Sequence, residues 1–371
     1  MVGSLADVLP AVASSLGVTV GPGERAGMPS WPAARRAVVV LVDGLGARLL
    51  ERRAGHAPLL RSLQAQTVAV PCGFPTTTAT SMGTFGTGLP SGQHGLVGYE
   101  VLDPARDLVV NELSWEDGPV PEVWQPFPTV FEEVAAAGIA VTRIGPGFFD
   151  GSGLTRAAQR GGRFVAAGSL AARVDAALAA VRATPRALVY LYWGDLDKVG
   201  HVHGCESWQW GDELEAVDRE LARLREGLPA DCSLTVTADH GMVDVQAEGR
   251  LDVAHTPGLP DGIRHVAGEP RCLQLHTVAG AVDDVAATWR AVLGERAEIV
   301  AREEAIARGL FGVVRPDTRS RIGDLLVVCA EGYAVVDSRR HRPELVALIG
   351  LHGALSAAEV FVPVVHVPAV V

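Results

Sequence analysis

The sequence predicts an α/β fold, a doubly wound and mostly parallel sheet flanked by helices. Three observations predict it. Ala37 to Val42 is a continuous, largely β-branched apolar run, the pattern of a strand buried on both faces in a parallel sheet. Strand-like and helix-like segments then alternate through residue 240, as successive βαβ units do. Two of the strand-like runs end on acids, at Asp43-Gly44 and at Asp239-His240-Gly241, and ligands of open α/β sheets gather at that carboxyl edge.

In chain order, residues 4 to 16 place Leu5, Val8, Leu9, Val12 and Leu16 at helical spacing and predict an N-terminal amphipathic helix. A Gly- and Pro-rich loop over 21 to 32 precedes the first strand, and Ala47 to Arg53 starts a helix. Thr67 to Val70 predicts a short strand, Phe74 to Thr78 the turn beyond it, and the small residues 79 to 88 a helix opening onto that turn. Residues 99 to 128, with Trp115, Trp124 and several prolines, are poor in regular structure and predict a substrate-facing loop. Helices follow at 129 to 137, 171 to 182 and 213 to 228, and strands at 139 to 144, 187 to 192 and 233 to 237. Residues 262 to 335 differ: short strands at 272 to 276, 297 to 301 and 324 to 329 and a helix at 281 to 293 predict a small, cap-like α/β insertion. The expected domains are therefore a core of residues 1–261 and 336–371 with an insertion of 262–335.

The bulk numbers narrow the function. A hydrophobic fraction of 48% suits a globular chain with a sizeable core. Lys plus Arg total 32 against 43 Asp plus Glu, a net charge of −11, which argues against a nucleic-acid polymer as partner because such a binder needs a basic stripe. Small anionic substrates stay open, since bound cations invert the local field. Five cysteines, odd in number and without a C-x-x-C pair, predict reduced thiols. The first thirty residues lack a basic segment followed by a sustained apolar run, and the strand-length run at 37 to 42 is too short to span a bilayer. The expectation is a cytoplasmic protein with no membrane partner; oligomeric state is left open.

The chemistry lies in four segments. Asp43 directly follows a buried strand, where it either caps the next helix or faces a ligand, and Asp239-His240 ends a second strand in the same manner. Together they point at a common centre. Asp197 and His201 stand four apart, share a face on a helical turn and suit one divalent ion, with Asp195 and His203 as competitors. Thr76, Thr77 and Thr78 either cap the following helix or supply a nucleophile, which a divalent metal would activate. That helix's N-terminus would present backbone N–H groups to a phosphate.

These motifs resemble the alkaline phosphatase superfamily, and most closely its nucleotide pyrophosphatase/phosphodiesterase branch. The likeness runs from about Ala37 to Ala254, with a last piece near His352. Its strongest stretch, from Phe74-Pro75-Thr76-Thr77-Thr78 to Thr87-Gly88-Leu89-Pro90 and His94-Gly95, is similar to that branch's nucleophile segment, F-P-[ST]-x-T leading to T-G-x-x-P-x-x-H-G. The resemblance implies Thr78 as nucleophile and two divalent metal ions, zinc first and manganese as the alternative. Asp43, Thr78, Asp239 and His240 would hold one ion. Asp197 and His201 would hold the other, with a C-terminal histidine in an H-G pair: His352 fits, and His255 is the runner-up. His94 matches a histidine that is no ligand in the family.

The family typically has P-N-H after the nucleophile, its asparagine contacting phosphate; this chain has Thr80-Ser81-Met82, so Ser81 is the expected contact. The sulfatase signature C-x-P-x-R is absent, since Cys72 continues as Gly73-Phe74-Pro75-Thr76. The resemblance implies a hydrolase of phosphodiester or pyrophosphate bonds working through a phosphothreonine, with a small phosphorylated substrate. The alternatives are a phosphomonoesterase, phosphomutase or phosphonate hydrolase on the same scaffold, or a non-catalytic binding module. Trp124, Phe127 and Phe148 are candidates to stack a base or an acyl group, Trp124 foremost.

Overall fold

The computed structural model describes residues 3–21 and 30–370. Most of the loop expected over 21 to 32 lies outside the described residues. Seven strands form the central sheet: β1 (Arg36–Val42), β2 (Thr67–Pro71), β3 (Ala140–Gly145), β4 (Arg163–Ala166), β5 (Ala187–Trp193), β6 (Cys232–Thr237) and β7 (Phe361–Val367). Their order across the sheet is β2-β7-β6-β1-β5-β3-β4, and only β7 runs against its neighbours. The apolar run of β1 is explained by its place between β5 and β6, where Ala37 to Val42 are all 1% exposed or less. Each such Val or Leu side chain contributes roughly 1.5–3 kcal/mol by leaving water.

Among the helices that cover this sheet or carry residues to its carboxyl edge are α1 (Leu5–Ser15), α2 (Thr78–Thr87), α3 (Leu170–Ala183), α4 (Asp195–His203) and α5 (Trp208–Gly227). α1 buries Leu5, Val8, Leu9 and Val12 and packs on α2. α3 lies on β1, β3 and β5, with α5 packed against it. α5 starts five residues before the expected Glu213 because Ser207 caps it, its Oγ accepting from the Trp210 N–H at 3.2 Å, and the buried Trp210 anchors its first turn.

A second, antiparallel sheet takes the strands Ile263–Glu269, Cys272–Thr277, Leu325–Cys329 and Ala297–Ala301 in that order. It has its own apolar cluster around Trp289, Leu273, Leu275 and Val327. Its first strand was not expected: Ile263-Arg264-His265 has no apolar alternation, and pairing with Cys272–Thr277 decides its conformation. Residues 99 to 128 also depart from the expected irregular loop. They hold a hairpin of Glu100–Asp103 and Leu108–Asn111 and a short helix at Pro121–Trp124, so only their connections are irregular.

Candidate metal centre

The parallel order β6-β1-β5 sets three acid-bearing strand ends side by side. Asp43 follows β1, Asp239 lies two residues beyond β6, and β5 runs through Gly194 into α4, which carries Asp197 and His201. The Asp43 N–H donates to the Trp193 carbonyl at 2.8 Å, continuing the ladder one step past the strand. α2 begins at Thr78, and His352 sits in the segment that leads to β7.

Among the described residues two groups of three ligand-type residues result, each with its donor atoms within 4.8 Å of one another: Asp43, Asp239 and His240, and Asp197, His201 and His352. In the first, His240 Nε2 lies 3.4 Å from Asp43 Oδ1, 3.5 Å from Asp239 Oδ2 and 3.2 Å from Thr78 Oγ1. In the second, His201 Nε2 lies 3.2 Å from Asp197 Oδ2. The imidazoles of His240 and His352 stack at 3.8 Å between centroids and so join the groups.

All three histidines turn the same nitrogen inward. Nδ1 of His240 faces the Gly241 carbonyl at 3.2 Å, that of His201 the Gly350 carbonyl at 2.7 Å, and that of His352 the Thr76 carbonyl at 2.8 Å. A carbonyl only accepts, so Nδ1 carries a hydrogen, and in the neutral imidazole Nε2 is then the nitrogen with the lone pair, which in His201 and His240 faces carboxylates. Lone pairs facing carboxylate oxygens repel unless a cation lies between them. Asp43 Oδ1, Asp239 Oδ2 and Asp197 Oδ1 are buried and have no hydrogen-bond partner, as oxygens reserved for a cation would be.

The electrostatics agree. Burial, with Asp239 and Asp197 nearby, holds the Asp43 carboxyl well above the usual range. Burial and Asp197 push Asp239 up to about 6. Burial, with His352 alongside, drives His240 well below the usual imidazole value. Asp197 goes the other way: burial raises it, but His201, His352 and His240 together outweigh burial and lower it. A divalent ion would invert these costs, and mixed carboxylate and imidazole donors suit zinc or another first-row metal.

A cleft crosses the centre. One side, about 400 Å³, is walled by Phe148, Phe149, Tyr192, Asn111 and Gln159. The other, about 380 Å³, is walled by Val202, Leu345, Val346, Lys198 and His341. Thr78, Tyr99, Leu113 and Asp197 line both.

Several expected residues lie elsewhere. Trp124 does not line the cleft: its Nε1–H donates to Glu112 Oε1 at 2.6 Å, and the Arg321 guanidinium covers its ring at 3.5 Å, so both faces of its chemistry are used in packing. Phe127 sits under Arg315, 5.1 Å from its guanidinium carbon, whereas Phe148 does wall the cleft. Ser81, three residues into α2 from Thr78, is fully buried and lines neither side of the cleft. His255 is a surface residue paired with Asp252 at 2.9 Å, its side chain 79% exposed, which leaves His352 as the C-terminal histidine at the centre. Asp195 and His203 also stand outside both groups, and buried His94 bonds Thr84 and the Leu96 N–H.

The structure also brings in residues that the sequence motifs do not include. Tyr192 donates to Asp43 Oδ2 at 2.5 Å, and strand alternation along β5 is the signal for it. Lys198 is the only lysine of the chain, a signal in plain view, and it lines the cleft. Glu269 has no local signal, because its strand lacks apolar alternation where it begins.

Known proteins share this framework. The sequence profile of the family type I phosphodiesterase / nucleotide pyrophosphatase matches residues 37–355. Ectonucleotide pyrophosphatase/phosphodiesterase family member 7 of Mus musculus is 40% identical over 63 residues, a match spanning 16% of this chain and only 14% of that relative. Among solved structures, murine ectonucleotide pyrophosphatase/phosphodiesterase 5 superposes with a TM-score of 0.71 at 20% identity, over 88% of this chain and 87% of that one. Its inactive variant has been solved with AMP. Phosphonoacetate hydrolase from Sinorhizobium meliloti 1021, solved with phosphonoacetate, superposes with a TM-score of 0.69 at 21% identity, over 94% and 92% of the two chains. At such identities the superpositions speak for the α/β fold.

Proposed function

The chain belongs to the type I phosphodiesterase / nucleotide pyrophosphatase family, and from that premise we propose that it hydrolyses phosphodiester or pyrophosphate bonds of a small substrate through a phosphothreonine on Thr78. The observation that carries this reading is the convergence of two three-residue ligand groups beside the Thr78 hydroxyl. Asp43, Asp239, His240 and Thr78 would hold one divalent ion, and Asp197, His201 and His352 the other, with zinc the best match to the donors and manganese the alternative. Bound there, the ions supply charge neutralisation at the phosphoryl oxygens and lower the pKa of a coordinated hydroxyl.

The chain's own residues do the rest. Thr78 sits at the first position of α2, where the helix N-terminus favours an incoming phosphoryl group. Its oxygen forms a bond to phosphorus as the bond from phosphorus to the leaving oxygen breaks; water then cleaves the phosphothreonine and restores the hydroxyl. Tyr192 holds Asp43 in place through its hydroxyl. The aromatic and apolar walls on either side of Thr78 suit the two arms of a diester, with Phe148 and Phe149 toward one and Lys198 toward the other. The antiparallel sheet of residues 263–329 supports the reading of 262–335 as an insertion on the core of 1–261 and 336–371.

Thr78→Ala tests the nucleophile. Turnover of bis-p-nitrophenyl phosphate is expected to fall below detection while zinc content stays near two ions per chain. Undiminished turnover would refute the assignment. A preference for p-nitrophenyl phosphate over the diester in the unaltered enzyme would favour the phosphomonoesterase alternative.

A further inference from the structure

One turn of the antiparallel sheet reaches into the segment that carries the last histidine. Glu269 ends one strand, Cys272 opens the next, and Pro270-Arg271 turn between them. Glu269 is 5% exposed, and its Oε2 lies 3.2 Å from His352 Nδ1, the nitrogen that also faces the Thr76 carbonyl at 2.8 Å. The next residue, Gly353, lies directly on Glu269: a Cβ there would meet Glu269 Cγ at 2.7 Å, and its φ of +128° is one that side chains rarely adopt. On the far side of the turn, fully buried Arg271 grips Glu359 with Nε to Oε1 at 2.9 Å and Nη2 to Oε2 at 2.7 Å. Glu359 Oε1 in turn accepts from the Ala354 N–H at 3.0 Å. The segment from His352 to Glu359 is therefore held at both ends by neighbouring residues of a single turn.

Glu269 belongs to neither ligand group. Burying a carboxylate is costly unless it is paired. Packing alone would be served as well by an uncharged residue of similar volume. What a carboxylate adds at Nδ1 is a fixed ring orientation and a more basic Nε2. We propose that Glu269 is a positioning residue that holds His352 as a ligand of the second ion, so that the antiparallel sheet is part of the metal centre and not only a wall of the cleft. This role rests on the two-metal reading of the proposed function.

The test counts metal. Full-length wild type, Glu269→Gln and Glu269→Ala are loaded with zinc, equilibrated against a graded chelator and assayed for bound zinc, with His352→Ala as the reference. The wild type is expected to hold two ions. Glu269→Ala should keep one at wild-type affinity and bind the other about 10- to 100-fold more weakly, losing the same ion as His352→Ala by the absorption spectrum of the cobalt-substituted protein. Glu269→Gln, whose amide oxygen still accepts from Nδ1, should fall between. Unchanged affinity at both sites in Glu269→Ala overturns the positioning role. Equal weakening at both, together with a lower melting temperature of the metal-free protein, overturns it too and leaves Glu269 a packing residue. A wild type that binds neither zinc nor manganese sinks the two-metal reading, and this role with it.

Discussion

Single buried groups decide much of this molecule, and Glu112 shows how. Its carboxyl is 1% exposed, takes the Trp124 indole N–H on Oε1 and leaves Oε2 without a partner. Burial outweighs that hydrogen bond and the charge of Arg321, pushing the group up to about 8 from an ordinary 4.5. The folded state then keeps a proton that the unfolded state releases, so stability falls as pH rises from about 4.5 to about 8 and levels off above. Below 6.5 buried His94, lowered to about 3, contributes the opposite slope. Between pH 6.5 and 8 His352, which burial lowers but Glu269 and Asp197 raise to about 9, adds a decline of the same sign, so denaturant titrations test Glu112 by difference: Glu112→Gln should reduce the slope seen in the wild type, and an unaltered slope would show other groups responsible. The same pair explains why Trp124 is unavailable to a substrate, since its N–H and its ring face are both engaged.

Among elements, the ends of β1 and β6 approach so closely that only glycine fits between them. A Cβ at Gly46 would lie 2.7 Å from Gly241 Cα, and one at Gly241 would meet the Ala358 carbonyl oxygen at 1.9 Å. The Gly241 N–H donates to the Glu359 carbonyl at 2.9 Å, tying the turn after β6 to the helix before β7. This backbone contact keeps the carriers of Asp43 and Asp239 in register. Gly241→Ala forces a shift of backbone, not of a flexible side chain, and should lower the unfolding free energy by about 1–3 kcal/mol. A reduced urea midpoint with unchanged slope is the expected result, and weaker zinc binding should accompany it. A midpoint equal to wild type would mean that the two turns separate freely.

At the scale of the whole molecule, the buried Arg271–Glu359 pair joins the antiparallel sheet to the segment ahead of β7. Arg271 also bonds the Ala330 carbonyl at 2.7 Å, so its removal strands several acceptors at once. Arg271→Ala leaves the Glu359 charge buried without its cation and should cost about 3–5 kcal/mol, measured by chemical denaturation; a loss below about 1 kcal/mol would show that water or a neighbour replaces it. Such long-range joins mark what could be read from the chain. The runs at Ala37–Val42 and Ala187–Tyr192 announce a parallel sheet because burial on both faces demands continuous apolar residues, and the acids that close the strands announce a polar edge. Short spacings such as Asp197 to His201 are legible for the same reason, since helix geometry alone brings them together. The choice of His352 over His255, the loss of Ser81 and Trp124 from the cleft, and the arrival of Glu269 from a second sheet depend on contacts between residues far apart in sequence. No local pattern encodes those contacts; they arise from which faces pack once the sheets have formed. Amino-acid order thus specified the fold class and the types of group at the strand ends, whereas packing between the two sheets decided which histidine meets Asp197 and His201 and which carboxylate lies against it.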